Sequence, residues 1–454
     1  MMRGNAVMQG KVRARVLRWA ALLAALALSG ATIATVTPAA SAVTPPRVGI
    51  ACTTGVGGAA TSPIFNLTTK TGYINLPDGN TAFMWGYSSE FGAFQHPGPV
   101  LCVNVGDTVT VILHNTLPEA ASIVFPGQTN VLANGIPAQP QPAPAGSITS
   151  LTNTAAAGGG TATYSFVATN PGTFLYESGT NPEKQVRMGL FGALIVRPSV
   201  LPVGAAAGSS PSEYANNRAD SRFKPSEEFM VLLSEIDPYQ HQAVENNKPF
   251  NMNNYHPRYW LINGRGYPDS IADNFASWLP AQPYGALAQV KEFNRTSATP
   301  DRPGVARYLN VGTEDYPFHP HGNNGLVVAR DGRPLEGPTG EDLSFEKFAI
   351  NIGPGQTWDV LFKWYDAEGY SPSNPVPVTV PALADQSIGV FYSGSPYLGT
   401  KEALPPGTQS LNQCGEYYII SHNHALFQIT SWGTNMTGPI TYMRIDPPTP
   451  NSCG

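Results

Sequence analysis

Two of the eight histidines of this chain stand one residue apart in Tyr316-Pro317-Phe318-His319-Pro320-His321-Gly322-Asn323, and a second such pair, His422-Asn423-His424, lies near the end of the sequence. Chance placement gives on the order of 0.1 H-x-H pairs in a chain this long, so two of them are a specific signal. In an extended strand, residues i and i+2 leave the backbone on the same side, and each pair then presents two imidazoles to one face. Two strand ends brought together could hold one metal ion with four nitrogens. The competing reading makes them hydrogen-bonded polar residues at a domain junction. His96, His114, His241 and His256 sit singly beside Pro, Asn or Gln, where surface or hydrogen-bonding roles are expected.

The elements that must position these side chains read as strands. Thr108-Val109-Thr110-Val111-Ile112-Leu113 alternates as a half-buried strand does, with the turn signal Gly106-Asp107 before it. Further strand signals fall at residues 72–76, 100–104, 164–167, 172–176 and 188–196, then at 229–233, 259–262, 306–311, 325–329, 348–352 and 358–362. The last, residues 416–421, runs straight into the second histidine pair. Residues 135–160 are rich in Pro, Ala, Gly, Ser and Thr and are expected as a surface loop. No helical periodicity stands out beyond a turn or two around Ile271 to Trp278.

Residues 200–226 show no apolar period and are expected to hold the linker between two β-rich units. The two units echo each other weakly. Cys102-Val103-Asn104-Val105-Gly106-Asp107 is similar to Tyr308-Leu309-Asn310-Val311-Gly312-Thr313, and Pro171-Gly172-Thr173-Phe174-Leu175-Tyr176 to Cys414-Gly415-Glu416-Tyr417-Tyr418-Ile419. The expected division is 1–42, 43–200, a linker at 201–226, and 227–454.

Composition bounds the function. Arg3, Lys11, Arg13, Arg15 and Arg18 precede a short apolar run at residues 19–28, and Ala40-Ser41-Ala42 offers small residues for cleavage. That run is too short to span a bilayer, which predicts a cleaved export signal and a secreted or extracytoplasmic protein without a membrane span. Removing those five charges leaves 21 Lys and Arg against 31 Asp and Glu. Such an acidic chain is not expected to bind nucleic acid. Charged residues make up 13%, well under the usual share, while the 46 Gly and 43 Pro indicate a turn-rich, all-β chain. Cys52, Cys102, Cys414 and Cys453 predict two disulfides in an exported protein; the sequence leaves three pairings open, of which Cys52–Cys102 with Cys414–Cys453 is the one expected. No G-x-S-x-G, Walker loop or H-E-x-x-H is present, so hydrolase and nucleotide readings lack support.

The chain resembles the multicopper oxidase family. The resemblance is carried by Val103-Asn104-Val105-Gly106-Asp107-Thr108-Val109, Gly172-Thr173-Phe174-Leu175-Tyr176, Gly189-Leu190-Phe191-Gly192, Pro317-Phe318-His319-Pro320-His321-Gly322 and Gly353-Pro354-Gly355-Gln356-Thr357-Trp358, in family order over nearly the whole exported part. It implies an all-β fold of two cupredoxin-like Greek-key β-sandwich domains, as in the two-domain branch.

The family's copper ligands are carried over only in part. Members hold a trinuclear copper cluster with four H-x-H motifs; here the first-domain motifs are replaced by Val124-Phe125-Pro126 and by Glu177-Ser178-Gly179. A blue copper held by Cys, two His and usually Met would need ligands where this chain has Tyr316, Asn423 and Gln428, so no thiolate is available for one. By the family's pattern His321 and His422 would share one cluster copper, His424 would belong to its neighbour and His319 to the third. Glu177 stands in for a histidine that would have joined His424.

The resemblance thus implies one metal site of His319, His321, His422 and His424 with Glu177 near it, copper first, zinc or another divalent ion next. For Glu177 the competing role is a solvated carboxylate or one paired with Lys184. Full laccase-type turnover is not expected without the blue centre, and the substrate is not legible. The alternative function is a non-enzymatic extracellular or cell-surface binding or structural protein, with a homo-oligomer or a cell-surface partner compatible with either reading.

Overall fold

A computed structural model describes residues 46–55, 61–143, 146–291, 301–364, 377–379, 409–411, 417–433 and 436–446. The expected export signal and the Cys414–Cys453 pair lie outside these residues. The Cys52–Cys102 disulfide is formed and ties the short strand Cys52–Thr53 to its parallel neighbour Val100–Asn104.

Alternating residues dictate the first sandwich. In Thr108–Asn115 every second side chain, from Val109 to Leu113, is buried, as the sequence pattern requires of a strand with one face on a core. That strand sits in a six-stranded sheet between Ile64–Asn75 and Gly160–Val167. The facing four-stranded sheet orders Cys52–Thr53, Val100–Asn104, Phe191–Arg197 and Gly172–Glu177. Leu101, Val111, Phe125, Tyr164 and Leu194 belong to the core between them.

The second sandwich pairs a seven-stranded sheet, built around Glu228–Ile236, Gly304–Asn310 and Thr357–Phe362, with a five-stranded one. The five-stranded sheet runs Ala288–Lys291, Ile440–Asp446, Tyr417–Asn423, Tyr316–Pro320, Ile350–Ile352 and carries both histidine pairs. Its core holds Trp260, Tyr308, Phe318 and Phe362 at 1% exposure or less. Each such side chain stabilises the fold by about 1.5–3 kcal/mol relative to exposure.

The described residues form one compact unit, and the two sandwiches meet across apolar and ionic contacts. Leu175 and Phe191 of the first pack with Met230, Leu232 and Leu309 of the second. Beside them lies a buried charge relay. Glu228 accepts from Arg197 Nη2 at 2.6 Å and from Arg307 Nε at 2.6 Å, while Arg307 Nη1 reaches Thr173 Oγ1 at 3.1 Å and Asp359 Oδ1 at 3.2 Å. The Arg307 and Arg197 guanidiniums hold the Glu228 carboxyl below its ordinary range against the opposing effect of burial.

Three expectations need correction. An eight-residue helix, Pro238–Glu245, was not expected from periodicity, yet its start is written in the sequence: Asp237 accepts from Tyr239 N, and Pro238 occupies the first turn. Residues 135–160 hold the short strands Ile136–Pro137, Gln141–Pro142 and Ile148–Ser150 rather than loop alone. The segment expected as linker is packed, with Tyr214, Ala215 and Phe223 buried and the latter two set against Val305, Val328 and Leu361.

Candidate metal centre

Both histidine pairs lie on adjacent antiparallel strands, and the register is what brings them together. His319 is directly opposite His422, Phe318 opposite Asn423. The backbone N–H of His321 donates to Ile420 O at 3.0 Å and that of His424 to Pro317 O at 2.8 Å, so the ladder extends past each strand end. Gly322, at φ +73°, then turns the chain away in a conformation that a side-chain-bearing residue would resist.

The four rings form one cluster. Ring centroids are 4.6 Å apart for His319 and His321, 5.0 Å for His321 and His422, 5.5 Å for His319 and His424, 5.6 Å for His422 and His424, and 5.7 Å for His319 and His422. His321 and His424 are exposed and the other two half-buried, so the cluster opens to the surface of the second sandwich. Among the described residues none of the four rings has a hydrogen bond or ring contact with the first sandwich.

Hydrogen bonds fix two tautomers. His319 Nδ1 donates to Phe348 O at 2.8 Å, and His422 Nδ1 donates to Asn423 O at 2.7 Å. Each neutral ring therefore leaves its Nε2 unprotonated, the arrangement in which a metal-ligating histidine is held by a backbone carbonyl. His321 Nε2 lies 2.9 Å from His422 Nε2 and must be the donor of that pair. Partial burial first, and the neighbouring imidazoles second, lower the pKa of His321; burial, then His319 and His424, do the same for His422. Among the described residues no three His, Cys, Asp or Glu side chains form a ready coordination shell, so the cluster is a convergence of donors short of a closed site.

Glu177 ends the strand Gly172–Glu177 in the first sandwich, where its backbone bridges to Val124. Burial pushes its carboxyl up to about 7, and it has no hydrogen-bond or ion-pair partner among the described residues. The alternative pairing with Lys184 does not form, because Lys184 Nζ bonds Glu119 Oε2 at 2.5 Å.

Tyr316, Asn423 and Gln428, the positions expected from the resemblance to hold blue-copper ligands, are knitted into a polar network. The Tyr316 hydroxyl donates to Glu235 Oε2 at 2.5 Å, and Thr313 Oγ1 donates to Glu235 Oε1 at 2.8 Å. Asn423 Nδ2 donates to Gln428 Oε1; Gln428 Nε2 and Trp260 Nε1 both donate to Glu314 Oε2, at 2.7 and 2.9 Å. Gly312 is required beside them, since a Cβ there would come within 1.8 Å of Glu235 Oε2. Glu235 and Glu314 were not singled out in the sequence. The only signal for them was their place before the strand end and just ahead of Tyr316.

The single histidines divide. His114 is half-buried near Glu90 at 3.9 Å, and His256 lies against the Trp432 ring at 5.3 Å. His241 is buried and its Nδ1 donates to Phe83 O at 2.6 Å. His96 corrects the expectation, for it is 1% exposed and neither ring nitrogen has a hydrogen-bond partner.

A family profile described as multicopper oxidase matches residues 68–200. The chain is similar to an L-ascorbate oxidase of Cucurbita maxima, 32% identical over 301 residues that make up 63% of this chain and 43% of the relative. It is also similar to an L-ascorbate oxidase of Cucurbita pepo var. melopepo, 31% identical over 45% of this chain and 32% of the relative. The chain thus spans less than half the length of these relatives. Among solved structures it shares its fold with the blue copper oxidase from Nitrosomonas europaea, with a TM-score of 0.53 and 18% identity over 84% of this chain and 85% of the other. The multicopper oxidase mgLAC gives 0.52 and 19% over 84% and 86%. Among the described residues no helix is long and apolar enough to cross a membrane.

Proposed function

We propose that the chain is a cupredoxin-type member of the multicopper oxidase family, a reading supported by the profile match over residues 68–200 and the similarity to L-ascorbate oxidases, and that it is an exported protein that holds one metal ion, copper first, on His319, His321, His422 and His424. The observation that carries the reading is the shared cluster: four imidazoles on two paired strands, two of them with Nδ1 anchored to a carbonyl and Nε2 unprotonated. Neutral imidazole suits copper and zinc alike. A bound copper ion would supply redox and oxygen-binding chemistry; the chain's residues orient the donors and keep two of them in the ligating tautomer. Glu177 is the candidate contributor from the first sandwich, as a half-buried carboxyl with no partner.

A blue copper does not fit. Its positions carry no thiolate, and their side chains are spent on Glu235, Glu314 and one another. With no such centre to take in electrons, laccase-type turnover is not part of the proposal. The filled network also favours a second reading, a non-enzymatic extracellular or cell-surface module in which any metal acts as a staple.

Metal analysis of protein purified without added metal, followed by copper titration read by electron paramagnetic resonance, separates the two. One copper per chain in a nitrogen-rich environment supports the first reading. No stoichiometric metal leaves the structural module. Glu177→Gln should weaken copper binding if the carboxylate contributes and leave it unchanged if it does not.

A further inference from the structure

A second site lies away from the histidine cluster, in a cleft of about 310 Å³ where the two sandwiches meet. The hairpin of Ile64–Asn75 and Thr81–Ser89 supplies one wall through Thr81 and Phe83. The helix Pro238–Glu245 supplies the other through Tyr239, Gln242 and Glu245, with Tyr259 beside it. The walls are fixed to each other, because the buried His241 on the helix donates to the Phe83 carbonyl on the hairpin. The volume falls at the small end of the roughly 300–1,000 Å³ that small-molecule sites occupy.

The lining chemistry selects the ligand. No Lys or Arg faces the cleft, and Glu245 makes it unfavourable for anions. Tyr239 is 64% exposed, an unusual state for a large aromatic beside a cavity, and together with Tyr259 it offers ring faces on which C–H groups can stack. The carboxylates nearby are already engaged: Asp78 accepts from the Tyr259 hydroxyl at 2.7 Å and from Asn80, and Glu245 Oε1 accepts from the Tyr73 hydroxyl. What remains free is a set of mostly neutral donors and acceptors, namely the Tyr239 and Thr81 hydroxyls, the Gln242 carboxamide and Glu245 Oε2. An organic cation would use Glu245 and a ring face but leave the Tyr239 and Thr81 hydroxyls and the Gln242 carboxamide unmet, and an apolar ligand would strand all of them.

We propose that this cleft binds a neutral polyhydroxylated molecule of monosaccharide size, its C–H face stacked on Tyr239 or Tyr259 and its hydroxyls on Gln242, Thr81 and Glu245. The inference is independent of metal at the histidine cluster.

The test titrates the full exported chain with D-glucose, D-galactose, D-mannose, maltose and cellobiose by isothermal calorimetry and protein-observed NMR. At least one sugar should saturate, and Tyr239→Ala and Gln242→Ala should each weaken it about tenfold, the scale of one lost contact of about 1.4 kcal/mol. Both residues are exposed, so circular dichroism and melting temperature should match the parent. D-Gluconate and benzyltrimethylammonium should compete poorly, and His321→Ala/His422→Ala should bind the sugar as the parent does. The proposal is overturned if no sugar saturates, if both cleft variants bind as the parent does, or if the ammonium probe binds more tightly than every sugar.

Discussion

His321 Nε2 and His422 Nε2 stand 2.9 Å apart across two hydrogen-bonded strand ends. Two nitrogens at about 2.0–2.1 Å from one ion, at right angles, would be separated by about the same distance. In the absence of metal the same spacing is an N–H···N hydrogen bond in which His321 donates. A metal ion bound there would therefore compete with one proton, in a pair of residues 101 positions apart in the sequence.

Replacing both His321 and His422 with Ala is expected to abolish stoichiometric copper, whereas His114→Ala, on the other sandwich, leaves it intact. Metal content after dialysis at neutral pH checks this. Retention of copper by the double variant would falsify the four-histidine site.

Removing the carboxylate at the centre of the interface relay should be costly. Glu228→Ala leaves Arg307, at 0% exposure, with only Asp359 as a charged partner, and loses the Arg197 link from the first sandwich. A loss of about 3–5 kcal/mol in denaturant unfolding is expected. An effect within experimental error would mean that the relay does not bind the sandwiches to each other.

Acid should destabilise the chain through two buried histidines. Burial lowers His96 to about 3 and His241 to about 4, with His241 as a further cause for His96. Between these values and the ordinary imidazole pKa of about 6.5, the unfolded chain binds protons that the folded chain does not, so stability falls as pH drops through that window. Each contributes about 2 kcal/mol of loss at pH 5 relative to pH 8. His96→Leu should remove about 2 kcal/mol of the loss between pH 8 and pH 5; an unchanged slope argues that His96 does not titrate in this way.

Tyr316→Phe removes a hydroxyl from a buried carboxyl that keeps its remaining bonds to Thr313. Burial already pushes Glu235 up, so losing this donor should raise it further and cost about 1–3 kcal/mol near neutral pH. Asn423→Cys alone should not give an intense visible thiolate–copper band, because Tyr316 and Gln428 still hold the neighbouring positions. Visible absorption of the copper-loaded variant checks the second point and unfolding curves the first.

Period-two alternation in segments such as 108–113 and the Gly and Pro punctuation determine an all-β chain, since alternation by itself separates a buried from a solvated strand face. Both histidine pairs were legible for the same reason: H-x-H in a strand places two rings on one face wherever that strand goes. The helix Pro238–Glu245 escaped because its exposed Tyr239 and buried Gln240 and His241 carry no apolar period, so only its capping residues announced it.

Register and partner choice were decided by the tertiary structure alone. Nothing local says that His319 faces His422, that Glu235 and Glu314 take up the Tyr316 and Gln428 side chains, or that Lys184 prefers Glu119 to Glu177. Those contacts join residues far apart in the chain, and their selection depends on how two cores pack. The sequence supplied the donors, and the packing of strands against one another settled which of them meet.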